Sequence, residues 1–145
     1  MDEAESDAWP VAAVVSRWPR HPRSVGQARE GLRKTLAAWE LSDAEDAALL
    51  VLSELLGNAV VHGRVPRGRE VETRYLRMAY GVRIEVHDTA RELPRSLPLP
   101  DGEMCSGRGL FLVEAVADRW GVTRRTGPGK AVWAEVAAPR SGAGA

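Results

Sequence analysis

Glu54, Asn58 and His62 recur every fourth residue in the stretch 52–63, LSELLGNAVVHG. That spacing sets side chains on one stripe of a helix, drifting by about 40° per step. An amide one turn from a carboxylate suits phosphate chemistry. Asn offers a neutral oxygen to Mg²⁺, which prefers hard oxygen ligands and commonly bridges one or two protein groups and substrate phosphates. Glu one turn earlier can accept a proton from a hydroxyl or water that attacks a phosphate. Standing alone, the same pattern also describes the solvated edge of an amphipathic helix.

Two further clusters carry chemistry. In VHD at 86–88, Asp88 ends a strand where the chain breaks into a long loop. An acid there is often just a turn residue. Aimed into a pocket, it would accept a hydrogen bond from an exocyclic amine such as adenine's, and its charge would strengthen that bond. In SGRGLFLV at 106–113, Gly107 and Gly109 precede an apolar helix. The backbone there can approach a ligand closely, and the free N–H groups of the helix favour an anion such as phosphate. A dinucleotide fingerprint would need a parallel strand just before it and a third glycine, where Leu112 stands instead.

Elements to position these groups follow from periodicity. Residues 10–18 form a short apolar run between Pro10 and Pro19 and are expected as a strand. Ser24 with Gln27 has the pattern of a capping box, and Val25, Ala28, Leu32, Leu36 and Trp39 supply an apolar helical face. Ser42 with Glu45 repeats the start signal for a second helix, which runs to about His62 and stops at Gly63. Leu52, Leu55, Leu56 and Ala59 form its sheet-facing side, and Gly57 leaves room beside the polar stripe. Residues 70–78 and 82–87 read as strands with Gly81 at the turn; Val82, Ile84 and Val86 alternate with Arg83, Glu85 and His87. Periodicity is lost from Thr89 to Arg108, where Pro94, Pro98, Pro100 and Gly102 mark a long loop. A short helix at 109–118 and a hairpin of 120–126 and 130–137 around GPG complete the order. Hairpins with segregated helices predict an α+β, two-layer sandwich: a mixed, mostly antiparallel sheet covered on one face by helices.

Bulk properties narrow the function. The chain has 145 residues, 44% of them hydrophobic, enough for one domain with one core. Twenty basic residues balance twenty acidic ones, so no net charge argues for direct nucleic-acid binding. Apolar runs are far shorter than the ~20 residues a membrane span needs, and the acidic start is not a secretory signal. Cys105 is the only cysteine, which excludes an intrachain disulfide and a cysteine-rich metal site. A cytoplasmic protein without a membrane anchor is expected. Residues 1–8 and 139–145 are expected as disordered ends around a domain at 9–138. The five Trp residues read as packing groups, not as a stacking platform for nucleic acid.

Taken in order, the three clusters resemble the GHKL (Bergerat-fold) ATPases: ELLGNAVVHG the N box, VHD the Asp box, SGRGLFLV the second glycine box. More narrowly the chain is similar to actinobacterial histidine-kinase-like ATP-binding proteins related to anti-sigma-factor serine kinases. The resemblance covers roughly residues 10–137 and includes the closing strand GKAVWAEV. It implies the Bergerat, histidine-kinase-like ATPase fold, with Glu54 as general base, Asn58 as the Mg²⁺ ligand and Asp88 holding the adenine amino group. Ser106, Gly107, Arg108, Gly109 and Leu110 would surround the phosphates, Arg108 standing in for a basic residue that relatives carry near this point. His62 and Gly63 would lie at the helix end beside the nucleotide, His62 in a structural hydrogen bond. Residues 91–106 would form an ATP lid, mobile without nucleotide, with Cys105 a passive member.

This chain departs from the family at two places. The fuller Asp box is D-x-G-x-G, and Ala90 stands at its first glycine beside the bound base; altered or weaker nucleotide binding is expected. Ala131 replaces a hydroxyl residue of the last strand, which implies one lost hydrogen bond near Asp88, worth about 0.5–1.5 kcal/mol. The expected function is a Mg²⁺- and ATP-dependent serine/threonine protein kinase that phosphorylates an anti-anti-sigma (STAS-type) partner and can also sequester a sigma factor. A catalytically weak or inactive module that regulates transcription by sequestration is the alternative. The 23 residues before the first helix hold no phosphoacceptor helix of the sensor-kinase kind, and His21 lies in no helix. A homodimer is expected by analogy only.

Overall fold

The computed structural model describes residues 10–62, 70–88, 112–124 and 130–138. Its elements are β1 (Ala12–Pro19), α1 (Arg23–Ala38), α2 (Glu45–His62), β2 (Glu70–Met78), β3 (Gly81–Asp88), β4 (Arg119–Arg124) and β5 (Lys130–Ala137). The strands form one sheet in the order β1-β2-β3-β5-β4, and every pairing in it is antiparallel. The expected disordered ends lie outside the described residues.

Alternation decides which face the helices cover. Val71 and Tyr75 of β2, Val82, Ile84 and Val86 of β3, and Ala134 and Val136 of β5 are all buried, and all point to one side. Ala28, Leu32 and Leu36 of α1 and Leu52, Leu55, Leu56 and Val60 of α2 meet them in a single core. Burying one such Leu or Val stabilises the fold by about 1.5–3 kcal/mol. α2 is apolar around most of its circumference because it lies between α1 and the sheet, the pattern of a buried helix. The α+β sandwich read from the sequence is the fold observed. Among the described residues no helix is long and apolar enough to cross a membrane.

Local signals were overruled at the helix starts. Ser24 does not cap α1: its hydroxyl donates to the carbonyl of Pro19 at 2.7 Å, and α1 begins at Arg23 without a side-chain cap. Ser42 opens a 3-10 turn, Ser42–Ala44, and α2 starts only at Glu45. At the other end of α1 the chain turns through Glu40 at φ 60°, with Leu41 N–H donating to the Leu36 carbonyl at 2.8 Å. This is a Schellman-type stop at a position where glycine is favoured. The helix expected at 109–118 is a single helical turn at 112–116 among the described residues, with Val113 fully buried.

Away from the helices the sheet carries an ionic lattice. Glu135 is only 1% exposed. It accepts from Arg83 Nη1 at 3.0 Å and from the Tyr80 hydroxyl at 3.3 Å, with Arg119 Nε at 3.6 Å. Arg83 also donates to Glu85 at 2.8 Å and stacks 3.9 Å above the Trp133 ring. His87 Nε2 lies 2.8 Å from the second Glu85 oxygen and must be the donor there, since an ionised carboxylate only accepts. Glu72 is held by Arg17 and Arg74.

Burial acting alone would raise the Glu85 carboxyl, but hydrogen bonds and charge from His87 and Arg83 outweigh it and hold it below the ordinary 4.5. A carboxylate so lowered adds stability that is complete above that value and is lost as pH falls through the folded one. Glu85→Gln should therefore cost about 1–2 kcal/mol at neutral pH. The gap from wild type should narrow below pH 4.5. Urea unfolding as a function of pH checks this, and a gap that widens in acid would refute it.

Candidate functional site

Two of the three polar clusters, the stripe on α2 and VHD on β3, come to one end of the sheet. Pro19 of β1 pairs with Glu70, Val71 with Asp88, and Asp88 with Lys130, so this end holds the close of β1 and β3 and the start of β2 and β5. The Ser24–Pro19 bond fixes the beginning of α1 here. From there α1 runs inward, where the Tyr75 hydroxyl donates to the Ala28 carbonyl at 3.2 Å. Burial pushes the Tyr75 phenol up to about 12, so it stays a donor.

α2 returns antiparallel to α1. Arg33 Nε meets Glu45, at the start of α2, at 3.2 Å. Arg29, one turn earlier on α1, donates to Ser53, farther along α2. The last turns of α2 therefore come back to the sheet end that carries Asp88. Glu54 and Asn58 lie one helical turn apart in this half of α2, both half-buried. Between them a Cβ built on Gly57 would meet nothing within 4 Å, so the helix has open space beside the pair.

In VHD the strand alternates: Val86 enters the core, His87 joins the ionic lattice on the far face, and Asp88 returns, half-buried, to the helix side. The sheet thus aims Asp88 and the end of α2 at the same side of the molecule. His62 is the last residue of α2. Gly63, Ala90 and the turn Ser106, Gly107, Arg108, Gly109 and Leu110 lie outside the described residues, as does the expected lid at 91–106. The helical turn that follows is anchored at the opposite end of the sheet, where Asp118 N–H donates to the Glu135 carbonyl at 2.8 Å and its carboxylate accepts from Ala137 N–H at 2.7 Å.

Register corrects one expectation. Ala131 pairs with His87 and shares its far face, so the loss of a hydroxyl at 131 removes nothing from the neighbourhood of Asp88. The position facing Asp88 is Lys130, which is exposed. Counting back by twos from the buried Val136 and Ala134 to Val132 and Lys130 was the available signal, and one slip in that count moves a side chain to the other face.

Mg²⁺ keeps several waters and is usually held by one or two protein oxygens together with substrate phosphates. A single half-buried amide oxygen on Asn58, beside open space, fits a metal that arrives with a triphosphate. Among the described residues no group of three or more His, Cys, Asp or Glu is placed to hold a metal by itself.

A family model for the histidine kinase-like ATPase domain matches residues 18–136, from Trp18 in β1 to Val136 in β5. A comparison with curated proteins found no match. The match takes in most of the chain and every element that builds the site, and with the antiparallel sheet and its two covering helices it makes the protein an ATP-binding member of the histidine kinase-like ATPase domain family.

Proposed function

We propose that this protein is a Mg²⁺- and ATP-dependent serine kinase that acts on a separate regulatory protein of the anti-anti-sigma type. What supports it most is the pair Glu54 and Asn58, one turn apart and half-buried in the half of α2 that returns to the sheet end carrying Asp88. Asp88 accepts the amine of the base and Asn58 gives an oxygen to the metal. Mg²⁺ held by Asn58 would supply positive charge to the triphosphate as charge moves onto the leaving group.

The partner's serine oxygen attacks the γ-phosphorus, and the bond from that phosphorus to the β–γ bridging oxygen breaks. ADP departs with the electron pair. Glu54 takes the serine proton. A carboxylate beside the attacking hydroxyl needs only to be within hydrogen-bond reach to do this.

Calorimetric titration of the full chain with Mg-ADP tests the foundation. Wild type should bind, and Asp88→Ala should weaken binding by about 10- to 100-fold, the worth of a charge-assisted hydrogen bond. Equal affinity in both proteins would remove Asp88 from the site. Incubation with labelled Mg-ATP and anti-anti-sigma proteins then tests transfer. Stable partner binding with no label transferred by wild type would make the chain a sequestering module instead.

A further inference from the structure

We propose that the protein carrying the acceptor serine docks along α2 on the two turns that precede Glu54, with Leu50 as its apolar contact and Asp46 as its ionic one. The inference rests on the reading of Glu54 as general base and names what an acceptor must present to reach it.

Asp46, Leu50, Glu54 and Asn58 stand four residues apart within the unbroken helix α2, so the stripe extends two turns back from the base. Its neighbours fix the direction in which it points. Leu49, Leu52, Leu55 and Leu56 are buried in the core. Arg29 of α1 donates to the Leu49 carbonyl at 3.3 Å and to the Ser53 hydroxyl, holding that side of α2 against α1. Glu54 follows Ser53 by one residue and so points about 100° away from that clamp. The arc turned from both α1 and the sheet therefore carries the stripe. Leu50 is half-buried on it and, unlike the other leucines of α2, lies outside the core cluster. Asp46 is exposed.

The direction of the reaction places the acceptor on these residues. Attacking and leaving oxygens lie in line on opposite sides of the γ-phosphorus. Asn58 serves the metal and the phosphates, so the serine that Glu54 deprotonates comes from the side of Glu54 away from Asn58, over Leu50. Four residues of helix rise about 6 Å. The acceptor should then hold an apolar side chain about 6 Å from its serine hydroxyl and a lysine or arginine about 12 Å from it, along one line. The apolar contact gives affinity by losing water, and the ionic one at the rim steers the encounter.

The test is transfer from labelled Mg-ATP to a panel of purified STAS-type anti-anti-sigma proteins by the full chain. The concentration of the protein that wild type labels is then varied for wild type, Leu50→Gln and Asp46→Asn. Glutamine keeps the length and helix propensity of leucine and loses its apolar surface. Leu50→Gln should raise KM for the acceptor by about tenfold or more and leave kcat within about threefold. Its melting temperature and Mg-ADP affinity should match wild type. Asp46→Asn should raise KM by about threefold at low salt and weaken the dependence of KM on ionic strength. An unchanged KM in Leu50→Gln would overturn the docking surface, as would a rise matched by equal loss of Mg-ADP affinity or of melting temperature. An Asp46→Asn profile identical to wild type would remove the ionic contact. Those failures, with label transferred by wild type, leave the kinase reading intact. A wild type that binds Mg-ADP and labels no acceptor would sink the kinase reading itself, and the docking claim with it.

Discussion

Glu54→Ala is expected to lower phosphoryl transfer to a protein serine by about 10²- to 10⁴-fold, the usual contribution of a positioned general base. Mg-ADP affinity should stay within about threefold of wild type, because in the proposed reaction the carboxylate meets the attacking hydroxyl and not the base or the metal. Folding should survive as well. Glu54 is half-buried on an interior turn of α2, and alanine is the best helix former. Glu54→Gln separates charge from shape: the amide fills the same volume but accepts a proton poorly, so its rate should fall nearly as far. Single-turnover transfer measured with pre-bound Mg-ATP is the clean readout. A rate preserved in both variants would place the base elsewhere, whereas a parallel loss of binding would make Glu54 part of the nucleotide's grip.

The largest structural effect is expected at Gly81. This residue opens β3, is buried, and stands opposite Ala137. A Cβ here would overlap the Val136 carbonyl oxygen and lie 2.8 Å from the Ala137 Cα. Both obstacles are backbone, so no side-chain rotation relieves them and the β3–β5 pair would have to part. Gly81→Ala should cost about 3 kcal/mol, the upper range for overpacking, and lower the melting temperature by about 10 °C. The same substitution at Gly26 or Gly31 in α1, where a Cβ meets nothing within 4 Å, should raise stability by up to about 1 kcal/mol through helix propensity. Opposite signs at these positions, read from urea midpoints, are the signature; a Gly81 variant as stable as wild type would show that the strands can separate freely.

Much of this was legible in the residue order, and the exceptions have physical causes. β2 and β5 begin and end at the residues expected for them, 70–78 and 130–137. Gly81 looked like a turn residue, yet the turn is at 79–80 and the glycine answers a neighbouring strand, which no local pattern reveals. Ser24 had the correct partner spacing for a cap, but a backbone carbonyl from β1 competed for the same hydroxyl and won. Arg83, Glu85 and His87 looked like a solvated strand face. They are largely covered because each Arg stem and the Trp133 ring screen their neighbours' carboxylates, an effect of register across strands distant in the chain. The N-box stripe was readable because helical spacing is local. Facing Asp88 with Lys130 was not, since it depends on how two strands align.

That alignment has a thermodynamic corollary. Asp88 and Lys130 are paired although β4 intervenes in the chain, so the polypeptide from the end of β3 to the start of β5 is, to the sheet, a closed circuit. Closure entropy rises only with the logarithm of length, and doubling such a circuit costs about 0.6 kcal/mol. A change in the length of that circuit therefore costs little closure entropy, provided β4 stays paired and Val113 stays buried.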